Sequence, residues 1–396
     1  MAESRGQPQR RRTIPRHRVV IAGGGVAALE AMLALDHLAG PRFAVTVVSP
    51  TDSFEYRPLA VTEPFDGAPP PRYELGGLLS TRGARHVKDA VAAVDSEAGA
   101  VELVSGGRLP YDFLLLAPGA RATVGVPGAT HFWSNAGARE VRSLVSALEH
   151  GAVHDIAVAV PDGVSWPLPA YELALQVAHR RSAAGTGGRM LLVTPERAPL
   201  EAFGRRAGAA VRDLLHEREV ALVTDSTPEQ FSGRSLQLAG GRALRADRAI
   251  ALPRLRGPEI AGLPRDPDGF IPIDEMSRVT GVERVWAAGD ATTFPVKQGG
   301  VAAHHADAAA QSIALAAGVA VDPTPFRPVL RAVLLTGGAP LYLRRTLFDP
   351  DDPHGDTTAL AAHPFWWPPD KIAGRYLAPF LSAMSSPTRS ANARAS

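Results

Sequence analysis

The chain contains no cysteine. That excludes disulfides, cysteine-ligated zinc, thiolate-held iron–sulfur clusters, and any cysteine nucleophile or redox dithiol. Lysine is nearly absent too: Lys88, Lys297 and Lys371 are the only three among 42 Lys and Arg residues. A lysine inside a motif is therefore less of a generic charge here than an arginine would be. No run of 18 uninterrupted apolar residues occurs, so no transmembrane helix is expected. Nor is there a basic excess. The formal net charge is +2, and residues 1–18 alone carry six Arg against one Glu, which leaves the body slightly acidic. Only the tail has the charge for nucleic acid, and no nucleic-acid partner is expected. The apolar stretch Val19–Leu35 behind the arginines contains three consecutive glycines and Glu30, so it reads as strand, turn and helix rather than as a signal sequence. A cytoplasmic protein is expected, with peripheral attachment to the inner face of the membrane left open.

What is present is an ordinary globular composition, 45% hydrophobic and 21% charged over 396 residues. At about 150 residues per domain, two or three domains are expected. Arg18–Ala22 reads as a strand, Val26–Leu38 as a helix and Phe43–Val48 as a strand, a unit the size of a mononucleotide-binding half. Pro64–Arg72 reads as a loop. Ala90–Asp95, Ala100–Val104 and Phe113–Ala117 read as further strands, and residues 125–137 as a crossing point between domains. A second unit repeats the spacing of the first: strand Ile156–Val160, helix Pro169–Arg181, strand Met190–Val193. A late strand, Val285–Ala288, precedes an Ala-rich helix from about Val301 to Ala317. Asp322–Leu381 is rich in Pro, Arg and aromatics and reads as a small third module. The expected fold class is α/β, with two related doubly wound domains and a C-terminal module.

The first motif that carries chemistry is Gly23-Gly24-Gly25-Val26-Ala27-Ala28, between a predicted strand and a predicted helix. Gly23 permits the tight turn. Gly25 lets the backbone approach a pyrophosphate, and Ala28 keeps helix and strand close, with the helix N-terminus facing the phosphates. The alternative is a purely structural turn. The second strand runs Val47-Val48-Ser49-Pro50. Ser49 can hydrogen-bond a ribose hydroxyl but carries no charge. Two further stretches are Tyr111-Asp112-Phe113-Leu114-Leu115-Leu116-Ala117-Pro118-Gly119 and Val285-Trp286-Ala287-Ala288-Gly289-Asp290.

In this order, around a second nucleotide-type unit, these motifs resemble the flavoprotein family with two Rossmann-like dinucleotide-binding domains. Phe54-Glu55-Tyr56-Arg57-Pro58-Leu59, Pro295-Val296-Lys297-Gln298-Gly299-Gly300 and Trp166-Pro167-Leu168-Pro169-Ala170-Tyr171-Glu172 resemble its sulfide:quinone reductase and flavocytochrome c sulfide dehydrogenase branch, with type II NADH dehydrogenases as cousins. The resemblance covers residues 17–318. It implies an FAD-binding domain in two parts, 17–135 and 266–318, and an NAD(P)-type domain over 136–265; composition adds an interface module over 319–384 and disordered tails at 1–16 and 385–396. It implies FAD, held by Gly23, Gly24, Gly25, Ala27, Ala28, Ser49, Pro50, Arg57, Pro58, Val91, Ala117, Pro118, Gly119, Gly289, Asp290, Lys297, Gln298 and Gly299, with Asp290 on the ribitol.

The candidate catalytic residues are Lys297, Glu172 and His304. A reduced flavin carries negative charge near N1 and the C2 carbonyl, and Lys297 just before a helix supplies both a cation and a positive helix end. The alternative is a surface lysine. Glu172 matches a helix glutamate near the flavin in the cousin enzymes and is either a proton relay or an exposed helix carboxylate. His304 and His305 are placed in the first turn of the late helix, where the positive end disfavours protonation. His304 is then a neutral proton donor or quinone contact, or simply a packed ring. No metal site is nominated.

Two departures limit the reading. Sulfide oxidation in the resembled enzymes runs through cysteines, and none is present. The second phosphate turn reads Pro161-Asp162-Gly163-Val164-Ser165-Trp166-Pro167, where Trp and Pro obstruct a pyrophosphate, and Pro167 and Pro169 remove N–H donors. NAD(P) is expected to bind weakly, with Glu196 the remaining ribose acid. The sequence therefore points to an FAD-dependent oxidoreductase with a small-molecule donor and a quinone or other acceptor. The alternatives are an NAD(P)H:acceptor reductase and a non-catalytic FAD-binding partner protein. Phe365, Trp366 and Trp367 beside Lys371 and Arg375 form an amphipathic mix suited to a membrane or hydrophobic acceptor, or else the two Trp are core packing.

Overall fold

A computed structural model describes residues 16–347 and 357–385; residues 1–15 and 386–396 of the two expected tails lie outside the described residues. The helices among them are α1 (Val26–Ala39), α2 (Leu75–Ser80), α3 (Asn135–Glu149), α4 (Leu168–Ala184), α5 (Gly204–Glu217), α6 (Gly299–Ala316) and α7 (Leu377–Ser385).

The first strand, His17–Ala22, is buried from Val19 onward and pairs in parallel on both sides, with Phe43–Val48 and with Phe113–Leu116. A strand flanked this way is buried on both faces, which is why it reads as a continuous apolar run. Val285–Ala287 and Arg85–Val87 complete a five-stranded parallel sheet. Alternation splits its side chains between two cores. Val19, Ile21 and Leu115 pack under α1 and α6. Val20, Ala22, Leu114 and Leu116 pack under an antiparallel meander of Val91–Asp95, Ala100–Leu103 and Arg108–Pro110.

The second sheet repeats that plan. Thr130–His131, Arg248–Ala251, Ile156–Ala159, Met190–Val193 and Val220–Val223 are parallel in that order. Helices α3, α4 and α5 supply residues to the core on one face, and a second meander, Pro228–Ser232 to Ala243–Arg245, packs on the other. The fold is thus α/β with two Rossmann-like doubly wound units. A two-stranded antiparallel ribbon, Arg121–Thr123 with Arg254–Arg256, carries the chain between them.

The C-terminal module is a three-stranded antiparallel sheet, Val329–Leu334, Leu341–Thr346 and Ala359–Ala361, followed by α7. Leu330, Ala332, Leu334 and Leu343 join the core of the second unit, whereas Leu377 and Leu381 of α7 join the core of the first. The stretch expected as a loop over Pro64–Arg72 is narrower than that. A 3-10 helix, Arg57–Phe65, runs into it and a short strand, Arg72–Glu74, begins at its end.

Candidate active site

The glycine turn is built for close approach. Gly23 has φ 126° and donates its N–H to the Val48 carbonyl at 2.7 Å; a Cβ there would meet the Ala117 carbonyl oxygen at 2.0 Å. Only glycine fits. At Gly24 a Cβ would meet Ser49 Oγ at 2.6 Å, whereas at Gly25 it would meet nothing within 4 Å. Gly25 is the N-cap of α1, which has no side-chain cap and no acidic residue in its first turn. Its leading N–H groups are therefore free for an anion. Ala28 is fully buried beneath the turn.

This turn opens into a cavity of about 1610 Å³ that runs along both dinucleotide-type units and the C-terminal module. Single ligand pockets are usually about 300–1,000 Å³, so this space suits a dinucleotide together with a second molecule. Every residue nominated for FAD or for catalysis lines it except Ala28 and His304.

Asp290 and Lys297 sit together on its wall. Burial pushes the Asp290 carboxyl up to about 6, partly offset by the Lys297 ammonium. Burial pulls Lys297 down to about 8, with Asp290 and Asp266 opposing the shift. The ammonium lies 3.7 Å from the centroid of the Phe270 ring and donates to the Thr292 carbonyl. The Asp290 carboxylate has no hydrogen-bond partner among the described residues, as expected of an acceptor that awaits hydroxyls. The uncapped α1, the open space at Gly25 and this unpartnered carboxylate together fit a dinucleotide cofactor that carries a polyol.

Glu172 is neither exposed nor alone. Its side chain is 1% exposed, and Oε1 accepts from Lys371 Nζ at 2.6 Å and from the Leu335 N–H at 3.0 Å. Burial raises its pKa, and Lys371 opposes that rise. Lys371 also donates to the Pro58 carbonyl at 3.2 Å. Sequence reasoning placed Lys371 at an interface beside Trp367; instead it closes the cavity, and only its rarity as a lysine hinted at a role.

Lys371 reaches this position on a strap, residues 370–377, laid across the first unit. The Ile372 N–H donates to Tyr56 Oη at 2.8 Å, and the Ile372 side chain presses on Gly299, where a Cβ would meet it at 2.8 Å. Gly374 crosses Glu30 so closely that a Cβ would meet Oε2 at 2.6 Å. The Glu30 carboxylate accepts from the Tyr376 and Leu377 N–H groups at 2.8 and 2.7 Å, so a buried acid of α1 caps α7.

Three expectations change. His304 lies beyond the first turn of α6, which begins at Gly299, and does not line the cavity. Its Nε2 pairs with the Arg331 guanidinium at 3.2 Å, and burial together with Arg331 pulls it down to about 4, a different cause from the helix end. The two Trp are not both core packing: Trp366 meets Tyr342 edge-on at 5.7 Å, but Trp367 is 86% exposed. Glu196 does not line the cavity; it accepts from Tyr171 Oη at 2.6 Å, Thr194 Oγ1 at 3.0 Å and the Glu201 N–H at 3.0 Å. Trp166 does reach the cavity, tilted on Phe203 at 5.7 Å.

Two Rossmann-like units that share one large cavity define a two-domain dinucleotide-binding oxidoreductase. Residues 17–312 match the pyridine nucleotide-disulphide oxidoreductase family, and the chain belongs to it. An NADH dehydrogenase-like protein of Mycobacterium tuberculosis is 28% identical over 290 residues, 69% of this chain and 72% of that protein. The sulfide-quinone reductase of Aquifex aeolicus is 26% identical over 262 residues, 61% of this chain and 59% of that protein. The solved sulfide:quinone oxidoreductase of the same organism superposes with a TM-score of 0.77 at 19% identity, covering 87% of this chain and 86% of that one. NDH2 of Plasmodium falciparum in complex with NADH gives a TM-score of 0.57 at 15% identity, covering 70% and 64%. Among the described residues no helix is long and apolar enough to cross a membrane.

Proposed function

We propose that the protein is an FAD-dependent oxidoreductase that passes electrons from a donor other than a nicotinamide to a quinone-type acceptor without thiol chemistry. The observation that carries this reading is the single cavity. It has an open glycine turn and Asp290 on one wall, and the buried Glu172–Lys371 pair on another. Bound FAD supplies the uptake and release of an electron pair. The α1 N-terminus and Gly23–Gly25 receive its diphosphate, and Asp290 accepts from its hydroxyls. Lys297 places a positive charge in the same region, which stabilises a flavin that has gained electrons. Glu172 can take up and release a proton at its carboxylate, and Lys371, which favours the ionised form, sets how readily it does so. Arg57, 4.7 Å above the Trp133 ring, borders the cavity where the chain crosses to the second unit.

The reading predicts a yellow protein. A Lys297→Met variant keeps its FAD but has a midpoint potential lower by on the order of 30–60 mV, which is about 1.4–2.8 kcal/mol for two electrons. An unchanged potential in a spectroelectrochemical titration would show that the ammonium serves Phe270 and Thr292 alone.

Nicotinamide binding is the second reading, favoured by the relative named NADH dehydrogenase-like. The second unit argues against it. The N-cap of α4 is Pro167 and Pro169 follows, so two N–H donors are missing where a diphosphate would sit. Glu196 is already committed to Tyr171. Calorimetric titration of the oxidised protein with NADH and NADPH should show no micromolar binding. Rapid mixing with the same nucleotides should leave the flavin oxidised while a quinol reduces it. Micromolar binding with fast reduction by either nucleotide promotes the NAD(P)H:acceptor reading, and no reduction by any donor points to a non-catalytic flavoprotein.

A further inference from the structure

Arg331 is a cavity-lining cation to which the proposed reaction gives no task. Arg331 lies on the strand Val329–Leu334 of the C-terminal module. Its neighbours Leu330 and Ala332 point into the core of the second unit, so strand alternation turns Arg331 to the opposite face, and it lines the cavity with Val333, Gln298 and Lys371. Lys371 has Glu172, and Lys297 has the attraction of Asp290. Among the described residues Arg331 has no carboxylate within ion-pair distance, although it is half-buried. Its side-chain partner is Nε2 of His304 at 3.2 Å, a neutral acceptor that leaves the rest of the five-donor fork free. The register makes the charge more costly still: Arg331 stands directly opposite Arg344 on the next strand. Like charges directly opposite in a sheet destabilise it, and a half-buried guanidinium without a counter-ion costs more. Burial and Arg344 both pull the Arg331 pKa down. Among the described residues no carboxylate repays this, whereas a bound anion would.

We propose that Arg331 is the anchor for an anionic group on the molecule that shares the cavity with the cofactor, so that this molecule is an apolar or aromatic body bearing one carboxylate or sulfonate-like group. This rests on the oxidoreductase reading above and narrows its substrate class. The guanidinium fork matches a planar or trigonal oxyanion with two parallel N–H donors. The His304 ring holds the fork in place from behind, without competing charge. The apolar body lies against Trp166, Leu168, Val333 and Ile372, which line the same space.

The test uses two redox-inert probes of one shape, naphthalene-2-sulfonate and naphthalene-2-methanol, titrated calorimetrically into the cofactor-loaded protein. Neither probe accepts electrons, so the result does not depend on whether the electron-transfer reading holds. The unsubstituted protein is expected to bind the sulfonate more tightly than the alcohol. Arg331→Gln is expected to weaken the sulfonate roughly tenfold or more and to leave the alcohol within about twofold, the size of one charge-assisted contact. Arg331→Lys keeps the charge and loses the fork, and is expected to fall between; it also serves if Arg331→Gln does not fold. Equal weakening of both probes, no change in either, loss of FAD without a change in preference, or equal affinities in the unsubstituted protein would each overturn the proposal.

Discussion

The Gly25→Asp variant should fold normally and be purified colourless. The space in front of Gly25 is open: a Cβ there meets nothing within 4 Å. A carboxylate at the N-cap of α1 also suits the helix, whose first turn has no acid and no side-chain cap. The thermal midpoint should therefore stay the same or rise slightly. The same carboxylate stands where the cofactor's diphosphate would sit. Two like charges about 4 Å apart at the effective dielectric of a protein surface repel by about 4 kcal/mol, roughly a thousandfold in affinity. The absorbance ratio of flavin to protein, read beside a circular-dichroism melt, separates the two effects. Stoichiometric FAD in a stably folded Gly25→Asp protein would mean that this turn does not hold the diphosphate. The contrast with Gly23 sharpens the test. A Cβ at Gly23 meets the Ala117 carbonyl oxygen at 2.0 Å, so substitution there damages the fold before it reports on the cofactor.

The glycine turn was legible in the sequence because its neighbours in space are its neighbours along the chain. One strand, one turn and one helix make it, and the periodicity of each shows in fewer than thirty residues. The late strand Val285–Ala287 was legible only through the order of the motifs, since alone it reads as an ordinary buried strand that ends in a turn. Its pairing beside Phe113–Leu116 is a long-range fact that the motif order alone suggested. Other partnerships left no local trace. Glu172 and Lys371 are separated by 199 positions, and Glu30 reaches Leu377 across 347. Nothing in the periodicity of α4 shows that one of its acids faces a lysine from the C-terminal module. His304 was misplaced because the helix starts two residues earlier than its apolar pattern suggests. That small shift moves a ring from the helix end to a position facing the C-terminal sheet. The aromatic cluster at 365–367 was read as a unit, yet the fold divides it, with Trp366 on Tyr342 and Trp367 in solvent.

Lys371→Met should detach the strap from the site, because breaking a buried ion pair from one side leaves the other charge uncompensated. Such losses are about 3–5 kcal/mol. Here the lysine and glutamate side chains are 8% and 1% exposed. The cost has a pH signature. Burial already raises the Glu172 pKa, with Lys371 opposing. A carboxyl raised in the folded state contributes stability in acid, below its unfolded value, and loses it as pH rises through the folded value. Without Lys371 the folded value climbs further, so the deficit of the variant should be small in acid and grow as pH rises above the unfolded glutamate value. The strap can peel away before the domains unfold, so local amide exchange is the better reading. The Ile372 amide, bonded to Tyr56 Oη, should exchange much faster in Lys371→Met. The Leu377 amide, held by Glu30, should change less. Adding Glu172→Gln removes the stranded charge and keeps an acceptor for the Leu335 N–H, so the double variant should recover most of the protection at Ile372 and lose the pH dependence. A double variant as unprotected as the single one would show that the lysine acts through its own packing and its bond to Pro58. Recovery would show that the strap is held in the site by charge, with Glu172 as the group it neutralises.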